Sequence, residues 1–167
     1  MRLLREDKAA VRQGLYLPCL LMKSLGVRVG EALSVRMSHI DLEDRTILIE
    51  GTKTAGSRRV LSIPPDLLEE LLLAPSSPVD GLLCPTRTGA KRDLSNTCRA
   101  LRAFFDRHGF HWASSHTFRK TLATRMDEAG FTAREIADQL GHSKISMTQD
   151  VYLGRNDGPE RMKDIAF

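Results

Sequence analysis

Apolar residues recur at helical spacing from Lys8 to Leu25, with Val11, Leu15, Cys19, Leu20 and Met22 on one stripe and Gly26 placed as a stop. A second helix is predicted from Arg28 or Val29 toward His39, burying Val29, Ala32, Leu33 and Ile40. The period then changes. Arg45 to Glu50 (RTILIE) and Arg58 to Ile63 (RRVLSI) are short β-branched runs on either side of Gly51–Ser57, the pattern of an antiparallel hairpin with a long tip. Pro64 and Pro65 end the second strand, and Pro65 fits the first turn of a helix through Asp66–Leu73. Leu82 to Cys84 are expected as a short third strand. A helix from Asp93 or Ser95 to His108 follows, with Cys98, Leu101 and Phe105 inside and Arg99, Arg102 and Arg107 outside. Ser114 or Ser115 caps a helix running to Ala129 and stopped by Gly130. Thr132 and Glu135 form a capping box for a helix ending at Gly141, and Ser146 with Gln149 forms another for a short helix carrying Tyr152. These elements give an α+β fold, mainly helical, with a small three-stranded antiparallel sheet. There is no internal repeat, and the loop before Gly81 separates halves too small to fold alone, so one domain is expected.

Composition narrows the class. With 167 residues, 41% hydrophobic and 28% charged, the chain can bury a core, which excludes disorder and a disulfide mini-scaffold. No apolar run approaches the ~20 residues of a membrane span, and Met1–Lys8 has no hydrophobic signal core. The three cysteines, Cys19, Cys84 and Cys98, are widely spaced and odd in number, without metal-ligand spacing, which fits a reducing, cytoplasmic setting. Lys plus Arg exceed Asp plus Glu by 25 to 21, a net +4 that permits a polyanionic partner without demanding one.

Candidate chemistry is confined to Arg, Lys, His and Tyr, since no Gly-rich phosphate loop, paired carboxylates or metal-ligand cluster is present. Arg28 lies at a helix start after a glycine stop, where free N–H groups and a planar guanidinium suit phosphate oxygens. It equally suits an i, i+3 pair with Glu31. Lys53, with Arg58 and Arg59 behind it, makes the hairpin tip basic, as a nucleic acid groove or an ordinary solvated turn requires. His116 and Arg119 are three apart on one helix, a proton acceptor beside an anion holder; the bland alternative is a capping His and a surface Arg. His142 follows a helix C-terminus, whose carbonyls it can also serve. Tyr152 is either a nucleophile or a packing aromatic.

In order, Arg28 in GVRVGE, Lys53 in a hairpin, HTFR, LGH and a tyrosine ten residues on resemble the catalytic domain of the tyrosine recombinases, the phage integrase family, from about Leu20 to Tyr152. The resemblance implies that Arg28, Lys53, His116, Arg119, His142 and Tyr152 are catalytic, with Glu31 the acid after the first arginine. Phe118 and Lys120 depart from the family pattern at positions outside those six. Family members carry an N-terminal helical domain that clamps DNA. The length leaves no room for it, so residues 1–167 are read as the catalytic domain alone.

The implied reaction is DNA cleavage and rejoining through a 3′-phosphotyrosyl intermediate, without metal or cofactor. Double-stranded DNA is the implied partner, contacted also by Arg58, Arg59, Arg99 and Arg102. The chain is expected to be monomeric off DNA and tetrameric with its own copies in a synapse. It would act in the cytoplasm at the nucleoid, in a prokaryote, a phage or another mobile element. Two rivals are a helix-turn-helix regulator built on Thr132–Ser143 and a decayed recombinase that binds DNA without cutting it.

Overall fold

The computed structural model describes residues 1–51, 58–73 and 81–142. Lys53, Tyr152 and the capping box at Ser146 lie outside them. A short helix, α1 (Arg2–Glu6), precedes the N-terminal stripe, and the stripe itself is two helices rather than one: α2 (Lys8–Arg12) and α3 (Tyr16–Leu25). Asp7 caps α2 by accepting the Ala10 N–H at 2.7 Å. The expected continuous helix breaks at Gly14, where Arg92 crosses the turn to donate to Gln13 O at 2.6 Å and Cys84 O at 3.1 Å. Val11, expected in the core, is 55% exposed because α2 shows that side to solvent. Pro18 is tolerated in the first turn of α3, where its missing N–H has no intrahelical partner to lose.

The second expected helix is also shorter. α4 is only Val29–Ala32, and Met37–His39 forms a separate 3-10 turn. Between them the chain is drawn out of helix by pairing with 81–83: Leu83 N–H donates to Val35 O at 2.9 Å and Met37 N–H to Gly81 O at 2.7 Å. Leu82 is therefore an isolated bridge to Arg36 and not the third strand. That strand is β1 (Ile40–Asp41), which pairs antiparallel with β2 (Thr46–Ile49), and β2 pairs antiparallel with β3 (Arg59–Ser62). The mainly helical fold with a three-stranded antiparallel sheet is as expected; the identity of the third strand is not.

The later helices follow their caps. They are α5 (Pro65–Leu73), α6 (Leu94–Arg107), α7 (Ser115–Glu128) and α8 (Ala133–Leu140). On α6 the buried stripe is Thr97, Leu101, Phe104 and Phe105. Cys98 sits one position around from it and is exposed, contrary to expectation. The core centres on α3, whose Leu20, Leu21, Met22 and Leu25 are all buried and which packs against α7, α4 and α5. Ala123, Ile136 and Leu140 form a smaller cluster that fastens α8 to α7. Each buried aliphatic side chain contributes about 1.5–3 kcal/mol. This packing fixes where the ends of α3 and α8 meet. No helix among the described residues is long and apolar enough to cross a membrane.

Candidate active site

Four segments converge where α3 ends. Gly26 closes α3 in the left-handed region (φ +66°), and a Cβ there would meet Leu140 Cδ2 at 2.7 Å and Leu122 Cδ2 at 2.8 Å. Only glycine gives both the turn and the close approach of α7 and α8. Two residues on, Arg28 occupies the cap position before α4. The Glu31 carboxylate accepts the Arg28 backbone N–H at 2.8 Å and Arg28 Nη1 at 3.0 Å. The i, i+3 pair is therefore real. It is not a solvated pair, since the Glu31 side chain is 0% exposed while that of Arg28 keeps 35%.

The second partner of Glu31 is Arg59. Its Nη2 donates to Glu31 Oε2 at 3.1 Å, its Nη1 to Oε1 at 3.3 Å and its Nε to Gln139 O at 2.9 Å. Burial pushes the Glu31 carboxyl up, but the hydrogen bonds from Arg59 and the Arg28 N–H, with both guanidinium charges, outweigh it and hold it below its ordinary value. Glu31 therefore stays ionised.

Arg119 lies on the inner face of α7 and is 2% exposed. Its Nη1 donates to Gly26 O, and its Nη2 donates to Leu140 O at 2.6 Å and to His142 Nε2 at 2.8 Å. A guanidinium can only donate, so Nε2 is the acceptor and the imidazole proton sits on Nδ1. Burial, then the charges of Arg119, Arg28 and Arg59, push the His142 pKa down to about 4, with Glu31 opposing. His142 is thus a neutral Nδ1–H donor near neutral pH. Around His142 the charges of Arg119, Arg28 and Arg59 are opposed by that of Glu31, and the surplus is positive, as an anion site requires.

His116 is placed differently. It is exposed in the first turn of α7 and does not share the partners of Arg119. It lines an open groove of about 580 Å³ with Trp112, Ser114, Thr117, Lys120, Thr121, Thr124, Arg125 and Glu128. Trp112, the only tryptophan in the chain, is 75% exposed there. The structure therefore joins Arg28, Arg119 and His142 and leaves His116 at the rim of α7. Of the other expected DNA contacts, Arg58 is exposed and Arg99 donates to Asn96 Oδ1 at 2.9 Å. Arg102 pairs with Asp106 and donates to Ala113 O at 2.8 Å. Arg59 is turned inward, with its side chain 9% exposed. Lys53 and Tyr152 lie outside the described residues. No group of three His, Cys, Asp or Glu among the described residues could hold a metal ion.

Sequence reasoning missed Gln139, whose backbone carbonyl accepts from Arg59 and whose Nε2 donates to Leu25 O at 3.0 Å. It also read Arg59 as solvent-facing. Strand alternation carried the missing signal, because Arg59 shares a face with Leu61 and pairs across the sheet with the buried Ile49.

Comparisons with known proteins bear on the family and the fold. The sequence profile of the phage integrase family matches residues 1–158. A tyrosine recombinase XerA of Thermococcus onnurineus is 34% identical over 135 residues, covering 78% of this chain and 47% of the relative. A tyrosine recombinase XerC of Anoxybacillus flavithermus is 30% identical over 139 residues, covering 77% and 46%. The chain thus spans about half the length of the curated relatives it matches. A crystal structure of XerA recombinase superposes with a TM-score of 0.75 at 22% identity, covering 99% of this chain and 62% of that one. A Tn1549 transposon integrase in complex with circular intermediate DNA gives 0.81 at 16% identity, covering 98% and 62%.

Proposed function

Because the chain belongs to the phage integrase family, we propose that it is the catalytic domain of a site-specific DNA recombinase, with residues 1–167 acting as one catalytic unit. The observation that carries this is that Arg28, Arg119 and His142 arrive at one place from three segments, Arg28 paired with the buried, ionised Glu31 and Arg119 donating to His142. A helix-turn-helix regulator needs no such cluster, and α8 buries Ile136, Ala137 and Leu140 while Gln139 O holds Arg59.

In the proposed reaction the Tyr152 oxygen attacks a backbone phosphorus, and the bond to the 5′-oxygen breaks. The products are a 3′-phosphotyrosyl linkage and a 5′-hydroxyl. A 5′-hydroxyl from the partner duplex then attacks the linkage and releases the tyrosine. The phosphodiester energy is kept throughout, so no nucleotide cofactor is consumed. Arg28, partly exposed, and Arg119, buried, stabilise the non-bridging oxygens as their charge grows. His142, neutral, donates Nδ1–H toward the same phosphate. His116 accepts the tyrosine proton and Lys53 protonates the departing 5′-oxygen, whose alkoxide is too basic to leave unaided.

Double-stranded DNA is the proposed substrate. Arg58 and Arg99 remain candidate phosphate contacts on the surface. The proposed assembly is a tetramer of copies on paired sites, formed from monomers, and the proposed setting is the cytoplasmic nucleoid of a prokaryote or the DNA of a phage or other mobile element. The test is a pool of nicked suicide duplexes, randomised around the nick, from which cleavage cannot be reversed. Covalent protein–DNA adducts are expected, equally with and without chelator, and absent from Tyr152→Phe. Adducts that persist in Tyr152→Phe would remove Tyr152 as the nucleophile.

A further inference from the structure

We propose that Arg59 is a positioning residue that acts through Glu31 and the Leu140–His142 turn to hold Arg28 and His142 in place, and is not a contact to the DNA backbone. The inference rests on the recombinase reading of the same site. Three elements meet on one planar group. Arg59 leaves β3, grips both Glu31 oxygens with Nη1 and Nη2, and donates Nε to Gln139 O in the last turn of α8. Gly141 makes room for it, since a Cβ there would lie 2.6 Å from Arg59 Nη1. On the far side Gln139 Nε2 ties the same turn to Leu25 O at 3.0 Å. The end of α8 is therefore pinned from two sides, immediately before His142.

Charge supplies the second reason. The Glu31 side chain is wholly buried, and a buried carboxylate must be compensated. Were Arg28 its only partner, the two would neutralise each other, and Arg28 would have little charge left for a phosphate. A second guanidinium from β3 takes up the carboxylate and leaves the cluster positive. The groups facing this point are Arg28 and Glu31 of the α4 segment, Arg59 of β3, Arg119 of α7 and His142 after α8. Lysine cannot reproduce the fork that reaches Glu31 and Gln139 together.

The experiment compares Arg59→Gln, Arg59→Lys, Glu31→Gln and the double variant Arg59→Gln/Glu31→Gln. Read-outs are adduct formation at saturating DNA, the salt dependence of binding, and the His142 imidazole titration by NMR. Arg59→Gln should slow adduct formation on the order of 100-fold, the cost of a small misplacement of reacting groups, and Arg59→Lys should not rescue it. The slope of log affinity against log salt should stay that of the wild type. The double variant should lose less than the product of the two single losses, because a neutral residue 31 no longer needs Arg59 and only the hold on Gln139 O is lost in addition. His142 should titrate above its value of about 4 once the Arg59 charge is gone.

A slope reduced by about 0.9, one phosphate contact, or losses that multiply in the double variant, would overturn the proposal. So would an unchanged His142 titration. Should Arg59→Gln fail to fold, the adduct rate of Arg59→Lys decides: a large loss fits a fork that lysine cannot replace, and a wild-type rate overturns the proposal. If the wild type forms no adduct, the recombinase reading fails by itself, and the salt slope and the titration still judge Arg59.

Discussion

Gly26→Ala should damage both the fold and the site, by an amount the structure divides into two parts. The first is conformational. At φ +66° an alanine pays the left-handed penalty of about 1–2 kcal/mol. The second is steric. The new methyl would stand 2.7 Å from Leu140 Cδ2 and 2.8 Å from Leu122 Cδ2, and Leu140 is fully buried with little room to retreat. Overpacking of this kind costs about 1–3 kcal/mol. Gly130→Ala isolates the first part, because Gly130 has φ +85° and nothing within 4 Å of its Cβ position. The expected losses are about 2–5 kcal/mol for Gly26→Ala and about 1–2 kcal/mol for Gly130→Ala. The assay is urea unfolding with the m-value checked for constancy. Adduct formation should fall further in Gly26→Ala than its folded fraction explains, since Gly26 O is a partner of Arg119. Equal destabilisation of the two variants would refute the steric reasoning and, with it, the close seating of α7 and α8 on the end of α3.

Arg28→Ala should cost adduct formation on the order of 100- to 1,000-fold while DNA affinity changes much less, because its charge acts on the transition state; the rate at saturating DNA checks this. Asp7 is held at about 2 against an ordinary 3.8, first by the Ala10 N–H and then by His108 and Arg107. Its folded pKa lies below the unfolded one, so its stabilisation is complete above 3.8 and is lost as the pH falls through 2. Melting curves of Asp7→Asn should accordingly show a flatter acid limb. His142, neutral in the fold with a pKa near 4 against an ordinary 6.5, makes stability fall as the pH drops from 6.5 to 4, where only the unfolded chain takes up the proton. Its NMR titration should show that depressed midpoint. Trp112 stands in the groove beside His116, so DNA added to the protein should change the fluorescence of this single tryptophan, and an unaltered spectrum would place DNA elsewhere.

What the sequence made legible was mostly local chemistry. The bounds of α7 and α8 follow from Ser114, Thr132 with Glu135, and the glycines that end each helix, because capping groups sit within a few residues of what they cap. The hairpin strands were equally readable from their β-branched runs. β1 was not, because two residues, Ile40 and Asp41, carry no alternation, and only pairing with β2 makes them a strand. The long N-terminal stripe misled because its apolar period runs through Gly14, while the break depends on Arg92, distant in sequence. Within the candidate site, Arg28, Arg119 and His142 were singled out by type and spacing, and the structure brings them together. The buried state of Glu31 and the inward turn of Arg59 were not, since a charge beside a basic tip looks solvated until the sheet places it opposite Ile49.

The most direct measurement is the map of the covalent linkage itself. Trypsin should cut after Lys144 and Arg155, releasing a peptide in which Tyr152 is the sole tyrosine, well apart from Tyr16. After adduct formation and nuclease trimming, mass spectrometry should find a nucleotide on Tyr152, joined through its 3′-phosphate, with the released strand ending in a 5′-hydroxyl. A nucleotide on Tyr16 or on a serine, or a linkage through a 5′-phosphate, would contradict the proposed chemistry.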